Sequence, residues 1–154
     1  MSTTTNYYKR SIDLSVFQGI DEKRMVTVNQ SLFNNGGEVC TGLQKLIQRW
    51  LITFLTPKGA VKFHPNWGTT YVSEATGFHS EIDAEIAFYS ANADACAQMR
   101  REEDNNMELE ERIEKVTLEN ISIYDTGFSL HVTIVSRFGE SAPLVLPINV
   151  NPII

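Results

Sequence analysis

Leu51-Ile-Thr-Phe-Leu-Thr-Pro-Lys-Gly-Ala-Val-Lys-Phe-His-Pro-Asn-Trp-Gly68 joins a strongly patterned helix to two sharp turns. Upstream, Leu43, Leu46, Ile47, Trp50, Leu51, Phe54 and Leu55 recur at alternating steps of three and one, which places them on one helical stripe. Thr41 is positioned to cap the start of this helix. Pro57 ends it, because the residue before a proline is pushed out of the αR region. The opposite face carries Gln44, Lys45, Gln48 and Arg49. Such a stripe predicts packing against a sheet. Past the Thr56-Pro57-Lys58-Gly59 stop, Ala60 to Phe63 reads as extended and Pro65-Asn66-Trp67-Gly68 as a second turn. The segment holds no nucleophile, metal-ligand cluster or phosphate loop, and reads as a rigid, shaped connector.

Downstream, a second helix is predicted to start at Ser80, with Asp83 completing a weak capping box. Its expected apolar stripe is Ile82, Ile86, Tyr89, Ala93 and Cys96. Its many alanines favour helix and permit close packing, against another subunit as well as its own core. Arg100 to Asn106 is charged and ends in a break, with a short helical turn over Met107 to Ile113. The period then changes to two. Val116 and Leu118 alternate, then Ile121 and Ile123, with a phase shift near Glu119-Asn120 that predicts a bulge. Asp125-Thr-Gly127 reads as a hairpin turn. Phe128, Leu130, Val132 and Ile134 form the next strand, and Leu144, Leu146, Ile148 and Val150 the last. Pro147 lacks an N–H, so that strand is expected at a sheet edge. The predicted class is α+β, with two main helices packed on an antiparallel sheet that ends in a three-stranded C-terminal meander.

Toward the N-terminus, Ser11 to Gln18 alternates as a half-buried strand through Ile12, Leu14 and Val16. Met25 to Val28 suggests a second strand, and Asn34 to Gly37 a loop. Residues 1–10 read as a flexible polar arm with no hydrophobic stretch of the signal-peptide kind, and 11–154 as one domain. At 154 residues the chain is long enough for a substantial core. No apolar run reaches the ~18 residues of a membrane span. A net charge of −6 argues against general nucleic-acid binding, which depends on Lys and Arg neutralising phosphates. Cys40 and Cys96 lack metal spacing and read as buried free thiols of a reducing cytoplasm in preference to a disulfide.

Catalytic chemistry finds little support. His64, His79 and His131 are far apart, in settings that give no zinc or triad spacing. Glu74, Glu81, Glu110 and Glu111 are available for the paired-carboxylate logic of a glycoside hydrolase, but nothing marks one as sitting in an apolar pocket. The expectation is no catalytic residue, no metal and no cofactor. Trp50 belongs to the helix stripe and reads as core. Trp67, in its turn, reads either as a core cap or as an interface anchor. Arg112, beside Glu110 and Glu111, reads either as a solvated helix end or as an arginine fork aimed at a partner.

Taken in order, these pieces resemble the sheath-initiator wedge family of contractile phage tail baseplates. That family is often labelled lysozyme-like and has a counterpart in type VI secretion baseplates. The resemblance rests on Gly42-Leu-Gln-Lys-Leu-Ile-Gln-Arg-Trp-Leu-Ile-Thr-Phe-Leu-Thr-Pro-Lys-Gly59, on the turn Phe63-His-Pro-Asn-Trp-Gly68, on the helix that follows and on the three-stranded end. It spans roughly Ser11 to Val150. The family's Glu-Pro-Arg signature falls on Glu110, Glu111 and Arg112, with Glu111 in place of the proline, and the Arg100 to Met107 region is longer than usual.

The resemblance implies a structural protein rather than an enzyme. Glu110, Glu111 and Arg112 would dock the helical bundle of the larger wedge subunits. The strand with Leu144, Val145, Leu146, Ile148 and Val150 would offer its edge to the first sheath subunits. Other baseplate wedge proteins and the tail sheath protein are the implied partners, with the tail tube a further candidate. No nucleic acid and no membrane are implied. The implied place is the virion's tail baseplate, assembled in the host cytoplasm. Two alternatives stand beside it. One is a baseplate-associated cell-wall hydrolase, for which Glu74 and Glu110 would be the residues to test. The other is a generic α+β binding module.

Overall fold

The structure, a computed structural model, describes residues 13–14, 39–40 and 42–150. The expected strand at Met25 to Val28, the Asn34 to Gly37 loop, the cap at Thr41 and the arm 1–10 lie outside the described residues. Of the Ser11 to Gln18 strand, β1 (Asp13–Leu14) is described; it pairs antiparallel with β2 (Val39–Cys40), a partner the sequence pattern did not mark.

Helix α1 spans Gly42–Leu55, α2 Tyr71–Glu74 and α3 Glu81–Glu102, with a 3-10 turn at Leu109–Glu111. Strands β3 (Ile113–Tyr124), β4 (Gly127–Ser136) and β5 (Ser141–Asn149) form an antiparallel meander in the order β3-β4-β5. The fold is α+β, as the change of period predicts. The register shifts between Leu118 and Asn120, where the bulge was expected, and again between Ile113 and Lys115. The β3–β4 hairpin turns on Asp125 and Thr126 into Gly127. A Cβ at Gly127 would run into the Ile148 carbonyl of β5, so only glycine lets the strands close here.

One face of the sheet makes the core. Phe128, Leu130, Val132 and Ile134 of β4 and Leu144, Leu146 and Ile148 of β5 are buried beneath Leu46, Ile47, Trp50, Leu51 and Phe54 of α1. Trp50 stacks on Phe54 with centroids 4.7 Å apart, and Phe54 meets Tyr71 at 4.9 Å and Phe88 at 5.5 Å. Each such fully buried side chain stabilises the fold by about 1.5–3 kcal/mol. Asn92 ties the layers together. Its Oδ1 accepts from Trp50 Nε1–H at 3.0 Å and its Nδ2 donates to the Val116 carbonyl at 3.2 Å. Burial pushes the Tyr71 phenol well above its usual range and the Cys96 thiol up to about 11, so Cys96 stays protonated and inert at neutral pH. Cys96 is free and buried, as expected; the side chain of Cys40 lies outside the description.

One expectation about helix faces is corrected. The inward stripe of α3 is Ala84, Phe88, Ala91, Ala95 and Met99, whereas Ile82, Ile86, Tyr89 and Ala93 face outward; only Cys96 of the expected stripe is buried. Two apolar stripes compete on this helix, and the one holding Phe88 and Met99 fits closely under α1 because its other members are alanines. The polar face of α1 is covered in part: Lys45 and Gln48 are buried and Arg49 is half-buried against the Leu109–Glu111 turn. The predicted cap of α3 does form. Ser80 Oγ accepts from the Asp83 N–H at 3.2 Å, and the Asp83 carboxylate accepts from the His79 N–H at 2.9 Å. The His79 bond holds that carboxyl below the usual range.

Candidate functional site

The connector between α1 and α2 is a closed loop held at both ends. Its first and last residues meet: Thr69 N–H donates to the Thr56 carbonyl at 2.9 Å and Lys58 N–H to the Thr69 carbonyl at 3.1 Å. Three successive turns run between them, with N–H groups of Ala60, His64 and Trp67 donating to carbonyls of Pro57, Val61 and His64. Ala60 to Phe63 is therefore turned rather than extended, because the Val61 carbonyl is taken up by the turn into His64.

Three side-chain ties fasten this loop to α3. Gln98 clamps both backbone groups of Gly68, accepting from its N–H at 2.9 Å and donating to its carbonyl at 2.8 Å. Lys58 Nζ pairs with Asp94 at 2.8 Å, and Trp67 Nε1–H donates to Glu102 Oε1 at 3.0 Å. Gly68 sits at φ +100°, and a Cβ there would fall on the Thr56 carbonyl that closes the loop.

So held, the loop presents Phe63 at 84% exposure, an unusual position for a phenylalanine. Beside it, Phe63, Pro65 and Trp67 face Gln98, Arg101 and Glu102 across a cleft of about 320 Å³. Trp67 is half-buried at the cleft wall and outside the core cluster. Arg101 and Glu102 supply one charge of each sign to the cleft lining, and Arg101 forms no ion pair among the described residues. An exposed aromatic on a backbone that is already ordered loses little entropy on any contact it makes.

The three residues carried over from the Glu-Pro-Arg signature do not act together at the surface. Glu111 is 2% exposed. Its carboxylate accepts from Gly42 N–H, the first donor of α1, at 3.3 Å and from Lys45 Nζ at 3.3 Å. Arg49 Nη1 donates to the Glu111 carbonyl at 3.0 Å and lies 3.8 Å from Glu102 and 3.9 Å from Glu103 through its two terminal nitrogens. Glu111 thus caps a helix N-terminus from a distant segment, and its carboxylate is engaged inside the chain rather than presented at the surface with Glu110 and Arg112. Arg112 folds back, with Nε and Nη2 donating to the Met107 carbonyl at 3.0 and 2.7 Å. It and Glu110 remain half-buried at the surface.

The expected sheath-binding strand is β5, at one edge of the meander. Leu144, Leu146 and Ile148 are buried in the core, while Val145 and Val150 are half-buried. Val150 N–H donates back to the Thr126 carbonyl, so by antiparallel alternation the even-numbered residues of β5 bond to β4. The backbone groups of Pro143, Val145 and Pro147 then face outward. The two prolines offer no N–H, leaving Val145 as the donor between them. At the opposite edge, α3 covers β3: Asn92 and Arg100 donate to the Val116 and Glu114 carbonyls, the latter at 2.7 Å.

The candidate catalytic groups stay dispersed. His64 and His79 are exposed on separate loops, and His131 Nε2 lies 3.2 Å from Ser122 Oγ on the sheet. Glu74 ends α2, Glu81 begins α3, and Glu110 and Glu111 belong to the Leu109–Glu111 turn, where Glu111 meets the start of α1. Among the described residues no group of three His, Cys, Asp or Glu could hold a metal ion, and no helix is long and apolar enough to cross a membrane. Comparison with protein-family models, with curated proteins and with solved structures gives no match.

Proposed function

We propose that this chain is a non-catalytic docking component of a contractile phage tail baseplate, of the sheath-initiator wedge type, resident in the virion. The observation that carries the reading is the pinned loop Pro57–Gly68. The segment that bears the strongest family resemblance is also the one in which a clamped backbone displays Phe63 beside Trp67. In this reading the loop contacts a neighbouring wedge subunit. Glu110 and Arg112 remain the candidates for docking the wedge helical bundle. Sheath strands add at β5 through Val145, with Pro143 and Pro147 guarding the edge against indiscriminate pairing.

The test is binding of the purified chain to the wedge and sheath proteins of the same particle, measured by calorimetry. Phe63→Ala is expected to weaken wedge binding by about 30-fold, the effect of losing a central aromatic anchor. Phe63 is exposed, so the variant keeps its thermal midpoint. Undiminished binding by Phe63→Ala would remove the loop from the interface.

A further inference from the structure

A second surface, independent of what Phe63 contacts, lies on the outer face of α3. Ile82 is 64% exposed, Ile86 65% and Tyr89 53%, and no described residue covers them. Steps of four and three put them on one stripe, which the exposed Ala93 and Ala97 continue. The fold does not need this stripe, because α3 already buries Ala84, Phe88, Ala91, Ala95 and Met99 on its inner side. Small residues in the second half of the stripe let another backbone approach closely. Next to Ile86 a shallow groove of about 630 Å³, walled by Phe78, Ala87 and Ser90, has room for an aliphatic side chain.

Charge selects the occupant. From Glu81 to Met99 the helix carries Glu81, Asp83, Glu85 and Asp94 and no lysine or arginine. By helical spacing Glu81 and Glu85 flank the stripe on one side, Asp83 and Asp94 on the other. Asp94 is matched by Lys58 and Asp83 by the His79 N–H, whereas Glu81 and Glu85 form no ion pair among the described residues. A second copy of this chain would bring the same acidic flanks and a further net charge of −6. We infer that the Ile82–Ile86–Tyr89 stripe docks an amphipathic helix of another protein, with aliphatic residues at matching spacing and lysines or arginines beside them.

The probe is a synthetic amphipathic peptide of about 18 residues, five helical turns, with leucines on one stripe and lysines flanking it. Its control is a charge-inverted twin with glutamates in place of the lysines. Titrated into the full chain and followed by fluorescence anisotropy, the lysine peptide is expected to bind at least about tenfold more tightly than its twin, and to weaken as salt is raised. Ile86→Glu is expected to lower its affinity about tenfold or more while leaving the circular dichroism spectrum unchanged, because Ile86 is exposed. Ile82→Ser provides a second variant with the same expected loss. Equal binding of the two peptides, or binding untouched by Ile86→Glu and Ile82→Ser, would overturn the inference. So would a wild-type dimer in light scattering that Ile86→Glu dissolves, since the occupant would then be a second copy.

Discussion

Glu111→Ala is expected to lower the unfolding free energy by about 3–5 kcal/mol, the usual result of removing one partner of a buried ion pair. The substitution strips the carboxylate from buried Lys45 and from the first N–H of α1 together, and both distances are 3.3 Å. A loss of that size is a large share of the stability of an ordinary domain. Urea denaturation followed by circular dichroism reads it directly. The double substitution Lys45→Met with Glu111→Gln is expected to recover most of the loss, because the amide oxygen still accepts from Gly42 and no buried ammonium remains. A surface docking residue would behave differently: Glu111→Ala would then leave the midpoint in place and affect only partner binding.

Gly68→Ala is the second large effect, expected at about 2–4 kcal/mol from a strained positive φ together with a steric clash. The added Cβ has nowhere to go, since it meets the Thr56 carbonyl that accepts from Thr69 N–H. The chain must open the loop or distort it, and either change loosens the Gln98 clamp. Thermal unfolding measures the cost. Limited proteolysis is expected to cut the variant within 57–68 while the wild-type loop resists. If Gly68→Ala were neutral and its loop still resisted cleavage, the loop would owe its order to something other than this closure.

The parts of this fold that could be read in the sequence are those with a strong period. The α1 stripe and the three alternating strands each repeat a single pattern, and both the bulge near Asn120 and the cap at Ser80 have local signatures. What could not be read depends on contacts between distant residues. Gln98 and Gly68 are 30 positions apart and Lys45 and Glu111 are 66 apart, so neither tie leaves a mark in a local window. Charge gives no sign that Glu111 and Lys45 are buried, because acidic and basic residues are ordinarily solvated unless paired. Residue size misled on α3, where the isoleucines point outward and the alanines face in. At the site itself, Trp67 was legible as an aromatic in a tight turn. Phe63, the more exposed of the two, lies in a stretch whose composition reads as extended, and Arg101 has no local signature among the charges of Arg100 to Asn106. A four-residue helix such as α2 is too short to show a period, which hid Tyr71 from the predicted core.

As a baseplate component, this chain is proposed to dock through the 57–68 loop. The most direct measurement is an electron cryo-microscopy reconstruction of purified, sheathed tails from the particle that encodes it. The expected result is density for this fold at the base of the sheath, with Phe63 buried against a neighbouring wedge subunit and the first sheath strand beside Val145. Complete, sheathed tails that lack the chain in both the density and mass spectrometry would contradict the claim.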